Sequence, residues 1–386
     1  MAKNLLQNRR LRDFDFLIVL ALLGISIMCT ITVYATTINR NNLADLYKTE
    51  IIWQCLSYVA LIGFTILDYR TLKRQVAWIG YGFTLLLLLV VFVFPARNGA
   101  HSWIILPGFQ FQPSEFAKIF IILTIADFME KAKEKEETFG FKHLAVIGAI
   151  VCVPFALILA QPALGQALVL IGIVGAMMIL FLEKKQLTVF IIGIAVLFVG
   201  IFTVKAFLPD QSIKAIDSLP MMEHQKQRII TFIDPEADPK GTGYQVTQAN
   251  IAVGAGRLTG EGILKGTQTA GAWVPEQWTD FIFSALAEEM GFVGASILLF
   301  LFFFILYRMI LVASDTSDFF ASSLIAGVVG MFAFQIVENV GMNLSIMPVA
   351  GITLPFVSYG GSSLLTNFSL VGIVLSVAVR RKKLTF

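Results

Sequence analysis

Charge is scarce in this chain, as are histidine and cysteine. Only 14% of its 386 residues are charged, against 57% hydrophobic, and mean hydropathy is +0.79. So little charge cannot cover a soluble surface, and many windows exceed the roughly 18 to 20 apolar residues that span a bilayer. The composition therefore indicates an all-α, polytopic integral membrane protein. The net charge of +3 is too small for a nucleic-acid footprint, so no nucleic-acid partner is expected.

The three cysteines, Cys29, Cys55 and Cys152, each fall in a different apolar run. An odd number of thiols at membrane depth argues against a disulfide framework and against a cysteine metal site. The three histidines, His101, His143 and His224, are far apart and form no H-E-x-x-H pair. Gly360-Gly361-Ser362-Ser363 does not match the nucleophile elbow G-x-S-x-G, and no G-x-x-x-x-G-K-[ST] loop supports ATP hydrolysis. No metal site is expected, and no internal repeat suggests the paired halves of many transporters.

Apolar runs predict about ten transmembrane helices, near 14–35, 51–67, 76–95, 115–129, 144–160, 164–182, 187–208, 281–307, 319–341 and 364–379. The first is too long for a cleaved signal peptide and reads as a span. Basic clusters fall at Lys3, Arg9, Arg10 and Arg12, at Arg70, Lys73 and Arg74, at Lys131, Lys133, Lys135 and Lys142, at Lys184 and Lys185, at Arg308, and at Arg380–Lys383. With alternating crossings all share one side, whereas the opposite short loops carry only Arg40, Lys48 and Arg97. The positive-inside rule then makes both termini cytoplasmic. The chain is expected to form one transmembrane domain, 1–386, with a large extracytoplasmic loop at 209–279 between spans seven and eight.

That loop ends at Asp280, where water-facing chain meets the next apolar run, so this carboxylate can reach a lipid-borne substrate and still ionise. Asp280 is the candidate catalytic base; the alternative is a helix cap at the start of the eighth span. Glu288, eight residues on, lies on roughly the same helical face, either tuning Asp280, binding a cation or bonding a neighbouring helix. Ionisable groups within spans cost roughly 2.5–3.5 kcal/mol and need a partner or a purpose. Glu115 and Lys118 share a face, either as a pair that permits insertion or with Lys118 serving a phosphate and Glu115 orienting it. Glu338 and Asn339 read as interhelical glue. The loop carries Lys226, Arg228, Lys240, Arg257 and Lys265 among eight glycines from Gly241 to Gly271, a composition that suits either phosphate binding or any exposed loop.

Four motifs, Phe111-Gln112-Pro113-Ser114-Glu115-Phe116-Ala117-Lys118, Asp234-Pro235-Glu236-Ala237-Asp238-Pro239, Pro275-Glu276-Gln277-Trp278-Thr279-Asp280-Phe281-Ile282-Phe283 and Pro355-Phe356-Val357-Ser358-Tyr359-Gly360-Gly361-Ser362-Ser363, together resemble the SEDS family of bacterial shape, elongation, division and sporulation proteins. Gly266-Thr267-Gln268 and Glu276-Gln277 look closer to its elongation branch. The resemblance implies a peptidoglycan glycosyltransferase that polymerises lipid II at the outer face of the bacterial cytoplasmic membrane. It also implies a class B penicillin-binding protein as cross-linking partner, alongside other elongation-machinery proteins. The family's essential aspartate matches Asp280, and its paired Glu and Lys match Glu115 and Lys118. Glu276, Gln277, Ser358 and Ser362 join the substrate-binding candidates. Lys118, Arg228 and Lys240 are candidates for stabilising the leaving pyrophosphate, a task a divalent cation such as Mg2+ or Mn2+ can share.

The chain departs from the family twice. Gln161-Pro162-Ala163-Leu164-Gly165-Gln166 has alanine where members usually carry aspartate, and Gly99-Ala100-His101-Ser102-Trp103 lacks the usual basic pair. Neither role transfers to these positions. The rival readings are a lipid II flippase, a non-catalytic scaffold, and a division or sporulation member of the same family.

Overall fold

A helix lies over every one of the ten expected spans. The computed structural model describes residues 14–40, 43–96, 100–106, 109–135, 140–182, 184–218 and 223–381. Lys3, Arg9, Arg10, Arg12, Arg97, Gly99, Lys382 and Lys383 lie outside them. In chain order the helices are α1 (Phe16–Thr37), α2 (Leu46–Ile66), α3 (Gln75–Val90), α4 (Pro113–Glu134), α5 (Phe141–Ala160), α6 (Leu164–Met178) and α7 (Lys184–Phe207). The polar stretch then forms α8 (Pro209–Asp217), α9 (Glu223–Ile233), α10 (Thr242–Ala255) and α11 (Thr267–Ala270), and the last long helices are α12 (Ile282–Ser314), α13 (Phe319–Asn343) and α14 (Gly361–Arg380). Among the described residues eight helices are long and apolar enough to cross a membrane; α4, which carries charge, and the 15-residue α6 are the two others. A short antiparallel ribbon, β1 (Ile104–Leu106) with β2 (Phe109–Phe111), is a small addition to the all-α expectation. It delivers the chain to Pro113, whose missing N–H costs nothing at a helix start.

The core is built by pairing α14 with α2, α13 with α6, α12 with α1 and α3 with α4. Between α6 and α13 the backbones come close: a Cβ on Gly172 would strike Phe334, and one on Gly330 would strike Ala176 and the Gly172 carbonyl. Small residues at such crossings are how helices gain contact where lipid supplies no hydrophobic drive. At one end of the bundle, Lys73 pairs with Glu130 at 2.6 Å and Asp318 at 3.2 Å, and the Tyr69 hydroxyl donates to Asp318 at 2.9 Å. Chain segments that the alternation of basic clusters assigns to one face thus meet at one end.

The longest helix is broken, where its apolar run predicts one continuous span. At 33 residues α12 would run about 50 Å, well beyond a hydrocarbon core of about 30 Å. Gly291, at φ +66, interrupts it. The backbone groups freed by the break are satisfied by residues 257–262 of the polar stretch. The Glu288 and Glu289 carbonyls accept from the N–H groups of Glu261 (2.9 Å) and Gly262 (3.1 Å). The N–H groups of Phe292 and Val293 donate to the carbonyls of Arg257 (2.9 Å) and Leu258 (3.1 Å). Irregular backbone near a membrane persists only where protein supplies such partners. A Cβ on Gly291 would meet the backbone of residues 258–260. Gly291→Ala is therefore expected to destabilise the protein by about 2 kcal/mol, through left-handed strain and loss of this latch. A lowered midpoint in a thermal melt of the purified protein checks it; an unchanged midpoint would contradict the latch.

Candidate active site

The segment that carries Asp280 joins α11 to α12, and its course is fixed from both sides. Val274 and Phe281 are anchored in a small apolar cluster with Val246, Ala249, Met342 and Val349. Between them Glu276 takes φ +49, and its carbonyl accepts from the Thr279 N–H and hydroxyl, each at 3.1 Å, closing a turn that ends at Asp280. Gln277 is fully buried, its Nε2 donating to Thr269 Oγ1 at 3.1 Å. Thr269 is itself held by Glu288, whose carboxylate accepts from the Thr269 N–H (2.9 Å) and hydroxyl (2.6 Å) and from the Gln268 N–H (2.6 Å). Of the three roles open to Glu288, the structure shows it bonding a neighbouring element.

The opposite wall comes from the Pro355–Ser363 motif. Ser358 Oγ accepts from the Leu354 N–H at 2.7 Å and donates to the Thr279 carbonyl at 2.6 Å, while the Tyr359 N–H donates to the Trp278 carbonyl at 3.0 Å. Two motifs far apart in sequence therefore form one braced unit. Ser362 serves the ribbon instead, accepting from the Gln112 N–H (3.3 Å) and donating to the Gln110 carbonyl (3.2 Å).

Arg228, from α9, reaches back over this unit. Its Nη1 and Nη2 lie 3.4 and 3.6 Å from the point where a Cβ on Gly351 would stand, and Asp280 Oδ2 lies 3.6 Å from the same point. Guanidinium and carboxylate thus converge on a space that glycine leaves open, at φ +70, where a side chain is rarely tolerated. Burial pushes the Asp280 carboxyl up to about 6, against the opposing charge of Arg228, and Glu276 adds to the rise. Burial also lowers the Arg228 guanidinium, with Asp280 opposing. A carboxylate poised near neutrality beside a guanidinium can take a proton from one partner while the cation holds anionic oxygen on another.

Lys240 is exposed on the insert. Glu115 and Lys118 pair at 2.8 Å with side chains 1% exposed, and Lys118 also donates to Gln166 Oε1 at 3.0 Å. Gly165, beside Gln166, has no room for a Cβ against the Ala350 carbonyl and Ile352, so this pair is buttressed against the chain that carries Gly351. Asn339, expected as glue, bonds the carbonyl of Asp280 itself.

Arg40, which the motifs do not single out, also contacts this segment. Its Nη2 donates to the Val274 carbonyl at 3.1 Å, and its guanidinium sits 4.8 Å from the Trp278 ring centroid, within cation–π range. One signal was present: Arg40 is an exception to the charge bias in the expected outer loops. Among the described residues, no group of three or more His, Cys, Asp or Glu side chains is placed to hold a metal.

Comparison with known proteins covers nearly the whole chain. The family model FTSW_RODA_SPOVE, described as "Cell cycle protein", matches residues 12–383. The peptidoglycan glycosyltransferase RodA of Treponema pallidum (strain Nichols) is 31% identical, over 97% of this chain and 99% of that protein. Stage V sporulation protein E of Bacillus subtilis (strain 168) is 33% identical, over 86% of each. A solved structure described as "Structural coordination of polymerization and crosslinking by a peptidoglycan synthase complex" superposes with a TM-score of 0.74 at 28% identity, covering 95% of this chain and 97% of the other.

Proposed function

Because the chain belongs to the FTSW_RODA_SPOVE family, the SEDS proteins, and is a multi-pass membrane peptidoglycan glycosyltransferase, we propose that it polymerises lipid II at the outer face of the bacterial cytoplasmic membrane, with Asp280 as general base. The observation that carries this reading is the convergence of Asp280 and Arg228 on the open space over Gly351. A sugar hydroxyl of one lipid II attacks the anomeric carbon of the growing chain. Its proton passes to Asp280 as the new C–O bond forms. The bond to the polyprenyl pyrophosphate breaks on the opposite face, and the leaving group takes the electron pair, inverting the centre. A sugar hydroxyl is a poor nucleophile near pH 7, and a positioned base contributes roughly 10² to 10⁴-fold. Arg228 stabilises the charge developing on the pyrophosphate, with Arg40 as a second cation on the outer side.

Ten crossings that include α4 and α6, with both termini cytoplasmic, put this site on the outer face. A class B penicillin-binding protein is the proposed partner, supported by the similar complex of polymerisation and cross-linking. Use in elongation is supported by the Treponema relative and by Gly266-Thr267-Gln268 with Glu276-Gln277. The flippase reading needs an open polar path, whereas Glu115 and Lys118 are closed on each other and on Gln166.

The base assignment fixes the sign of the pH dependence. With its carboxyl at about 6, Asp280 is protonated and unable to accept a proton below that value. Polymerisation rates should rise roughly tenfold per pH unit below about 6 and level off above it. Initial rates from pH 5 to 8 with purified lipid II check this, and a flat profile between 5 and 7 would remove Asp280 as the base.

A further inference from the structure

Asp280 and Gly351 sit on different chain segments, and a single side chain ties those segments together. Asn339, fully buried on α13, spends both N–H bonds of its amide across them: Nδ2 donates to the Asp280 carbonyl at 2.9 Å and to the Ile352 carbonyl at 2.7 Å. One turn on, Asn343 Nδ2 donates to the Asp280 carbonyl at 3.2 Å and to the Asn339 carbonyl at 2.8 Å. Its Oδ1 accepts from the Ser284 N–H at 3.0 Å, in the first turn of α12, where the capping position Phe281 offers no side-chain acceptor.

We propose that Asn339 is a positioning residue for glycosyl transfer, setting the gap between the Asp280 carboxylate and the Gly351 wall, with Asn343 as its buttress. The proposal rests on the reading of Asp280 as the base. The Asp280 carbonyl is shared by the two amides, so Asp280 enters α12 from a fixed point. The Ile352 carbonyl adjoins Gly351, over which Arg228 lies, so one amide sets the width of the space where hydroxyl and pyrophosphate meet. Alanine at 339 would free the Ile352 carbonyl inside a buried site and leave the Asp280 carbonyl on the longer Asn343 bond alone, so the tie between the two segments would be lost and they would separate. Misplacement of a catalytic group by about 1 Å can cost 10²-fold in rate.

The test uses the full chain with its class B partner and purified lipid II, comparing Asn339→Ala, Asn339→Ser, Asn343→Ala and Asp280→Asn. Ser376→Ala is the control, because it removes a buried hydroxyl that accepts from the Tyr69 N–H and donates to the Leu67 carbonyl, far along α14 from the site. Asn339→Ala should lower kcat roughly 30- to 100-fold with KM within about threefold, and should displace the acid limb of the pH profile. Asn339→Ser, which keeps one donor, and Asn343→Ala should show intermediate losses; these two carry the test if Asn339→Ala fails to fold. Losses in kcat no greater than in Ser376→Ala at a matched fall in Tm, with Asp280→Asn inactive, would overturn the positioning role. An active Asp280→Asn would instead sink the reading of the base beneath it.

Discussion

Asp280→Asn is expected to abolish polymerisation while making the protein more stable. The rate should fall at least about 100-fold, because an amide cannot accept the hydroxyl proton. Folding and membrane insertion should survive, since the bonds that fix this residue are made through its carbonyl to Asn339 and Asn343 and not through its carboxylate. The stability gain follows from the raised pKa. A carboxyl at about 6 when folded, against an ordinary 3.8, favours the folded state below about 4, and that contribution is lost as pH rises through 6. Above that, ionised Asp280 opposes folding, and asparagine relieves the cost by about 1 kcal/mol after allowance for solvent screening. Melts at pH 7.5 should show a higher midpoint for the variant and melts at pH 4 should not. A variant that polymerises normally would end the assignment.

The second large effect concerns the buried ion pair. Lys118→Met leaves Glu115 without its cation where both side chains are 1% exposed, and breaking such a pair costs about 3–5 kcal/mol. The single variant should be recovered in low yield or unfold at reduced temperature. Glu115→Gln combined with Lys118→Met removes both charges together and should restore most of the lost stability, as paired replacement of buried ions often does. The double variant also separates the two roles left open by the sequence. Polymerisation that returns with the fold assigns the pair to the framework bracing Gln166 and the Gly351 segment. A folded but inactive double variant gives Lys118 to the substrate. A folded, fully stable single variant would contradict the energetics.

What could be read from the sequence divides along the range of the interactions concerned. Helix positions were legible because apolar runs are local, and each expected span has its helix. The position of Asp280 just ahead of α12 was legible for the same reason: it sits where a polar stretch meets an apolar one. The break in α12 was not, since Gly291 is one more small residue in an apolar run until the backbone of residues 257–262 arrives to satisfy it. Nothing in the sequence separates Arg228 from Lys240 among the six basic residues of the 209–279 stretch; only the return of α9 over Gly351 does so. In the sequence Arg40 is a lone basic residue of a short loop, and its contact with Trp278 joins residues that no local pattern relates. A buried asparagine predicts interhelical glue, and the structure adds what Asn339 holds, the carbonyls of Asp280 and Ile352.

On the proposed mechanism this chain makes bonds between lipid II molecules and does not merely move them. The direct measurement is glycan strand formation by the purified chain with its class B partner in lipid nanodiscs, where both membrane faces are open and transport cannot contribute. Strands are expected from purified lipid II, with a rate that climbs through pH 6. Lipid II that remains unpolymerised in nanodiscs, yet crosses the bilayer when the same folded complex is placed in liposomes, would contradict it.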